Sequence, residues 1–488
     1  MIDVITHPSS LLVVLQFAAL AAVVIRVIMQ RPGPGVALAW LLLVAILPLV
    51  GALLYFLIGE RRIHGDRLAR MDELRAEYAA LTEAMRTSGM HDVDWSRHPP
   101  AARRLDRIGG RMTNLFAVTG SDLVLYDDTQ EILAAIAADV DAAQTSILME
   151  FYIWNEGGSA DNVLEAVKRA AARGVTCRLL IDALGARPWW RSDQIEDLRS
   201  AGVQVLQARP VGTFRKFVGR TDLRLHRKIV VVDGRVAWTG SMNMVDPGFF
   251  KQDAGVGEWV DAMVRVQGFA VAQLAAVMLG DWLLESPESL SETVADAGLH
   301  GLTGVGDTDL QVLSSGPGES DDALLLMLNA LIHGAEETLT LTTPYLVPDE
   351  SLLRALRAAS LRGVRITLIL PAAVDSVMTR YASRSYYDDL MDAGVDVWLY
   401  NGGLLHTKSI LADDRMAMFG TVNLDMRSLW LNHEVALFVY GPEFGSDLKA
   451  LHDSYLADAT RLDPNTWLRR PGWEKFKENA FRIASPLL

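Results

Sequence analysis

A constellation of polar residues occurs twice in this chain at identical spacing. The first copy is His226-x-Lys228, then Asp233 after four further residues, then Gly240-Ser241-x-Asn243. The second is His406-x-Lys408, Asp413 and Gly420-Thr421-x-Asn423. The context repeats too. A β-rich run, Thr338 to Thr343, leads into Pro344-Tyr345 and answers a run ending in Phe151-Tyr152 about 190 residues earlier. Arg362-Gly363-Val364 answers Arg173-Gly174-Val175, and Ala393-Gly394-Val395 answers Ala201-Gly202-Val203. Solenoid repeats run to roughly 20–50 residues, so a repeat this long is a duplicated domain. A lone His-x-Lys carries no information; two full copies at matched positions do.

Each copy alternates β-rich runs with amphipathic stretches. Ser146 to Ile153 reads as a strand, Ala160 to Ala172 as a helix, and Val175 to Ile181 as a buried strand. Val203 to Leu206 and Ile229 to Val232 follow as strands. This alternation predicts an α/β fold with helices on the faces of mixed sheets. The Gly-rich stretch Gly301 to Asp309 marks the boundary between copies. The expected segments are a membrane hairpin over 1–60, a helical connector over 61–105, a first domain over 106–300 and a second over 301–488.

The hairpin rests on two apolar runs. Leu11 to Met29 is apolar except for Gln16 and Arg26, and Val36 to Ile58 has no charged residue. A spanning helix needs roughly 20 apolar residues, and Arg31-Pro32-Gly33-Pro34-Gly35 breaks the chain between the runs. Two helices, about 11–29 and 36–58, are therefore expected to cross the membrane. Arg61, Arg62, Arg67 and Arg70 follow the second run, whereas the short loop offers Arg31. That bias places the large domains on the cytoplasmic side of a bacterial inner membrane.

Composition narrows the function. The formal net charge is −14, which argues against a nucleic-acid partner, since those proteins usually show a basic footprint. The single cysteine, Cys177, sits in an apolar run and reads as a buried small hydrophobe. No histidine or cysteine spacing matches a metal site, so neither metal nor cofactor is expected.

The repeated residues suit phosphoryl chemistry. In an extended chain, residues i and i+2 share a face, so His226 projects with Lys228, and His406 with Lys408, while Arg227 and Thr407 point elsewhere. Two such half-sites about a pseudo-twofold axis place two imidazoles and two ammonium groups around one phosphate. Asn243, Ser241, Asn423 and Thr421 add donors. This cluster can stabilise charge on the equatorial oxygens without a metal. One histidine can attack phosphorus while the other protonates the leaving alcohol. Asp233 and Asp413 precede turns and are as suited to capping them as to touching substrate.

The constellation resembles the HKD signature of the phospholipase D superfamily, and the resemblance covers nearly the whole chain. Within it, Thr342 to Glu350, Gly240 to Pro247, Phe250 to Gly257, Ala382 to Tyr387 and the terminal Ser485-Pro486-Leu487-Leu488 resemble bacterial cardiolipin synthases. The resemblance implies two tandem phospholipase D-like domains and transfer of a phosphatidyl group from one phosphatidylglycerol to another, through a phosphatidyl-histidine intermediate. It makes the six HKD residues catalytic, with His226 the nucleophile and His406 the general acid and then base, although the symmetry leaves that order open. It also implies an acid that orients each histidine, for which Asp261 and Glu434 are the matching positions.

Other features stay open at this level. Trp189-Trp190 suits a core or an interfacial anchor. Arg215-Lys216, Arg220, Arg224 and Arg227, with Phe214 and Phe217, suit a solvated loop or a rim that attracts headgroups. The tail from Trp467 to Arg482 mixes aromatic and basic residues and suits either an interfacial helix or packing on the second domain. The same histidines could serve a hydrolase using water or a nuclease, and homo-oligomers are not excluded. The membrane hairpin and the acidic balance favour a lipid transferase with phosphatidylglycerol and cardiolipin as its partners.

Overall fold

The structure is a computed structural model that describes residues 8–59, 69–71, 73–74, 90–209, 223–299, 302–319 and 322–483. It divides into two units. One comprises Met1–Asp66 with Val211–Asp222, and the other Arg67–Pro210 with Leu223–Leu488.

In the first unit a 23-residue helix, Pro8–Gln30, carries the first apolar run. Its segment Leu11–Gln30 is long and apolar enough to cross a membrane. The second run departs from the expected single helix. It is split into Pro34–Ile46 and Pro48–Leu54, and ends in a π-helical turn, Tyr55–Gly59. Pro48 explains the break: it has no N–H to donate, and its ring would strike the carbonyl one turn back. The pieces still close on the first helix. Val23, Val27, Val44, Ala52 and Tyr55 are buried together, and the Trp40 ring meets Tyr55 edge-on at 5.4 Å. Elsewhere the surface is apolar, with Phe17, Ile25, Leu38 and Ile46 exposed.

The second unit is built on one long sheet. The first copy contributes β1 Val118–Tyr126, β2 Ser146–Phe151, β3 Thr176–Asp182, β4 Gln204–Ala208, β5 Ile229–Val232, β6 Val236–Gly240, β7 Trp259–Val260 and β8 Met263–Gly268. The second contributes β9 Thr308–Ser315, β10 Thr338–Thr342, β11 Arg365–Pro371, β12 Asp396–Tyr400, β13 Leu404–Leu405, β14 Ser409–Ala412, β15 Met416–Gly420, β16 Glu434–Tyr440 and β17 Ala459–Arg461. Among the described residues fifteen strands run in the order β17-β12-β11-β10-β14-β15-β16-β9-β1-β8-β6-β5-β2-β3-β4. Read outward from the antiparallel β9–β1 seam, the two copies show the same succession. The fold is the mixed α/β arrangement of two like domains that the repeat predicts.

The equivalence of the copies can be set by hydrogen bonds. Asp233 binds the backbone N–H of Ser146, and Asp413 that of Thr338. Ser146 and Thr338 therefore correspond, and Tyr152 corresponds to Pro344 rather than to Tyr345. The sequence match placed both aromatic residues at the strand ends and missed this shift.

The copies share their interior. Val264, Val266 and Leu274 of the first pack in one cluster with Leu437, Val439 and Leu448 of the second. The helix Pro100–Thr113 runs past the expected end of the connector. It buries Ala101, Ala102 and Leu105 against Leu313 and Leu328 of the second copy. Trp189 is core: it stacks on Trp154 at 5.2 Å and donates its indole N–H to Gln194 at 2.7 Å.

Candidate active site

The site forms where short extended segments of the two copies exchange backbone hydrogen bonds. Leu404 and Leu405 of β13 pair in parallel with Trp259 and Val260 of β7, and the His406 N–H donates to Val260 O at 2.8 Å. The equivalent contact on the other side joins Leu225 to His433 by a parallel bridge. There the His226 N–H donates to His433 O at 2.9 Å, and the His433 N–H to Arg224 O at 2.8 Å. Each catalytic segment is thus laid beside the segment that ends in the other copy's acid.

The crossing carries through to the side chains. His226 Nδ1 lies 2.9 Å from Glu434 Oε2, and His406 Nδ1 lies 2.7 Å from Asp261 Oδ1. Each orienting acid comes from the opposite copy. All four groups are buried. Thr421 donates its hydroxyl hydrogen to Glu434 Oε2 at 2.5 Å and accepts the Val435 N–H at 3.0 Å. Ser241 does the same for Asp261 Oδ1, at 2.5 Å, and the Ala262 N–H, at 3.0 Å. Ser241 and Thr421 were expected to bind phosphate. Their hydroxyls are instead committed to holding the carboxylates.

Burial drives the imidazole of His226 down to about 4 against the pull of Glu434, with Lys228 and Lys408 both adding to the fall. His406 is likewise held at about 4 by burial, against Asp261, and both lysines act on it too. Each imidazole is thus lowered by the lysine of the other copy as well as by its own. Glu434 and Asp261 stay below the ordinary carboxylate range: burial would raise them, but their histidines and the lysines outweigh it. A neutral imidazole beside an anionic acid keeps its proton on Nδ1, leaving the Nε2 lone pair available.

Both lysines are fully buried. Lys228 donates to His226 O at 2.6 Å, and Lys408 donates to His406 O. Burial lowers Lys228 to about 8, and lowers Lys408 well below its usual range despite Asp261. Ammonium groups this poorly solvated have much to gain from an anionic ligand. Asn243 accepts the Ile153 N–H through its side-chain oxygen at 3.2 Å, which leaves its amide hydrogens for a ligand. Asn423 is also buried, and its side-chain oxygen has no partner among the described residues.

Asp233 and Asp413 lie outside this cluster. Their carboxylates collect the backbone N–H groups of Gln144, Thr145 and Ser146, and of Glu336, Glu337 and Thr338. They sit at the far end of β5 and β14 from the histidines, with positive φ of 52° and 53°. Geometry makes them turn-binding residues rather than catalytic ones.

Three neighbours escaped the sequence reading. The Tyr152 ring meets His226 edge-on at 5.2 Å, and Trp259 lies 4.3 Å from His406. Arg227, read as part of a basic stretch, is buried and ion-paired to Asp281 and to Glu319, the latter at 2.6 Å. It also donates to Glu434 O at 3.0 Å and Ser315 O at 3.1 Å. Arg224 is buried against Asp182 at 3.3 Å; Phe214, Arg215, Lys216, Phe217 and Arg220 lie outside the described residues. Asp281, Glu319 and His433 bring ligand atoms within 4.8 Å of one another, but the Arg227 guanidinium already pairs with both carboxylates. The available signals were the repeated strand end for Tyr152 and, for Trp259, its place two residues before Asp261; nothing in the sequence marked Arg227.

Known proteins resemble this chain. A family profile described as "Cardiolipin synthase, PLD-like domain" matches residues 136–271 and 328–455. Cardiolipin synthase A of Yersinia pseudotuberculosis serotype O:1b (strain IP 31758) is 40% identical over 469 residues, 96% of each chain. This chain belongs to the cardiolipin synthase family. Cardiolipin synthase A of Yersinia pestis bv. Antiqua (strain Angola) is equally similar, at 40% over 96% of each chain. A second profile, "Phospholipase_D-nuclease N-terminal", covers residues 18–60. Among solved structures, phosphatidylserine synthase of Haemophilus influenzae Rd KW20 superposes with a TM-score of 0.60 at 14% identity. It covers 80% of this chain and all of its own, and shows the common fold.

Proposed function

We propose that this protein is a phosphatidyltransferase that makes cardiolipin and glycerol from two molecules of phosphatidylglycerol. The observation that carries the reading is the pair of neutral, acid-bound imidazoles joined by two buried lysines in one site, in a chain this similar to cardiolipin synthases. His226 Nε2 attacks the donor phosphorus and the P–O bond to the headgroup glycerol breaks. His406, carrying the proton left on it by the acceptor hydroxyl of the preceding turnover (by solvent in the first), gives it to the departing glycerol oxygen. His406 then takes the proton from a hydroxyl of the second phosphatidylglycerol, whose oxygen displaces His226 and completes the new phosphodiester. Lys228 and Lys408 hold the charge on the nonbridging oxygens. The N-terminal unit anchors the chain in the bacterial inner membrane, with the catalytic unit on the cytoplasmic side, and nucleic acid is not a substrate.

The test is product analysis by mass spectrometry after purified protein meets detergent-dispersed phosphatidylglycerol alone, with excess EDTA. Cardiolipin and glycerol are expected in equal amounts. Product that requires CDP-diacylglycerol would overturn the donor assignment. Phosphatidic acid as the main product would make the protein a hydrolase.

A further inference from the structure

The helix Gly472–Ile483 near the C-terminus has two unlike faces. One is fastened to the helix Val377–Asp392. Glu478, buried, pairs with Arg384 at 2.7 Å and Arg470 at 3.0 Å. Phe481 stacks on Tyr381 at 5.3 Å, and Arg482 pairs with Asp389 at 2.6 Å. The opposite face holds Trp473, Phe476, Ala480 and Ile483, at the spacing of one helical stripe. Trp473 is 66% exposed, Phe476 62% and Ile483 83%. The Trp473 and Phe476 rings stack on each other at 5.4 Å, and among the described residues no other ring or cation lies against either. Burying such side chains releases roughly 1.5–3 kcal/mol each, so leaving three in water is costly unless something covers them.

Charge identifies the cover. From Arg469 to Ile483 there are five basic residues, Arg469, Arg470, Lys475, Lys477 and Arg482, against Glu474 and Glu478. This is a basic segment in a chain whose formal net charge is −14. An apolar stripe with exposed aromatics, flanked by lysines, fits the interface of an anionic bilayer. The position fits as well. The supporting helix begins at Val377, two residues after Asp375, which is ion-paired at 2.9 Å to Lys251, whose ammonium lies 5.2 Å from the Trp259 ring that meets His406. We propose that Gly472–Ile483 is an interfacial helix that docks the catalytic unit on an anionic lipid surface beside the mouth of the site. The proposal rests on the lipid-transferase reading for its purpose, not for its test.

The chain suits a labelling experiment. Its one cysteine, Cys177, is buried with its thiol pushed up to about 12, so it resists alkylation. Ala480→Cys in the full-length protein, carrying an environment-sensitive fluorophore, is reconstituted in bilayers of phosphatidylcholine with or without phosphatidylglycerol. Emission is expected to shift to the blue in the anionic bilayer, and to be quenched by lipids carrying a nitroxide near the headgroup. In the neutral bilayer both effects are weaker. Trp473→Ser/Phe476→Ser should raise KM for bilayer substrate about tenfold, equivalent to ~1.4 kcal/mol, and leave kcat with detergent-dispersed substrate unchanged. A label that stays in water in both bilayers overturns the proposal. Equal burial in both overturns the anionic preference, and concentration-dependent burial in lipid-free detergent assigns the face to a second copy of the chain. A label that docks in a protein making no cardiolipin would sink the activity reading alone.

Discussion

The two half-sites share a skeleton and differ in what surrounds it. In each, a histidine meets an acid from the other copy, a hydroxyl braces that acid, and a lysine lies two residues on. Around His226 stand the edge of Tyr152 and the guanidinium of Arg227, tied into Asp281 and Glu319. Around His406 stand the Trp259 ring and Thr407, whose hydroxyl meets Tyr455 at 2.8 Å. The symmetric part is the hydrogen-bonded skeleton to which the proposed mechanism gives the proton handling, and the asymmetric part differs in how each half is held. The lesson is that the division of labour between the histidines cannot be read from their acids, which are alike.

The largest effect should come from the histidines themselves. His226→Ala is expected to abolish transfer from every donor, because no covalent intermediate forms. His406→Ala should fail with phosphatidylglycerol yet form an adduct from a donor with a low-pKa leaving group such as p-nitrophenol, which departs without a proton. Intact-protein mass after quenching reads the difference. An adduct on His226→Ala and none on His406→Ala reverses the roles.

Next come the acids. Glu434→Gln and Asp261→Asn keep the shape but lose the charge that fixes the Nδ1 proton, and each should lower kcat by about 10²–10⁴. Crossing makes this a sharp test. With the p-nitrophenyl donor, Glu434→Gln should impair adduct formation and Asp261→Asn should spare it, although Glu434 sits in the copy that lacks the nucleophile. The opposite pattern would tie each acid to the histidine of its own copy.

A third comparison concerns the residues between His and Lys. Arg227→Met strands the buried Asp281 and the partly exposed Glu319 and should cost about 3–5 kcal/mol in urea unfolding, whereas Thr407→Val should cost about 1 kcal/mol. Equal losses would mean that the Arg227 network contributes nothing of its own.

The pH dependence follows from the lysines. Lys228 must be an ammonium to bind phosphate, and its value of about 8 lies far below that of a free lysine. It is therefore charged below pH 8 and loses its proton as the pH rises through that value. kcat/KM should fall above about pH 8 by about tenfold per unit. kcat should fall later, because bound phosphate favours the ammonium. A flat kcat/KM to pH 10 removes the lysine from binding.

The smallest effect, and the most symmetric, belongs to Asp233 and Asp413. Either residue changed to Ala should lose about 1–3 kcal/mol of stability, with kcat of the folded protein intact. A collapse of kcat at full stability would restore the catalytic role that their place in the motif suggested.

Much of this was legible because the repeat is strict. The duplicated constellation and the strand and helix order could be taken from spacing, whereas Asp261 and Glu434, which follow the Asn of their own copies at unequal distances, came from the family resemblance. What spacing hides is direction across the chain. Ser241 and Thr421 are polar residues near a phosphate-type site, and nothing local says that their hydroxyls turn back to β8 and β16 rather than forward. Arg227 looks like any surface arginine until the helix carrying Asp281 is laid over it. Pro48 breaks the second apolar run, a local signal that hydropathy alone overrides.

The crossed pairing sets a timetable for synthesis. His226 and Glu434 are separated by 208 residues. At roughly 5–20 residues per second, the ribosome has made the histidine well before the acid that will orient it, roughly 10–40 s later. Until then the nascent chain holds an imidazole with no fixed tautomer and an Asp261 with no histidine. A growing polypeptide tethered at its apolar N-terminus can therefore lie beside the membrane without attacking it, and competence arrives only when the last long strands of the second copy have been added.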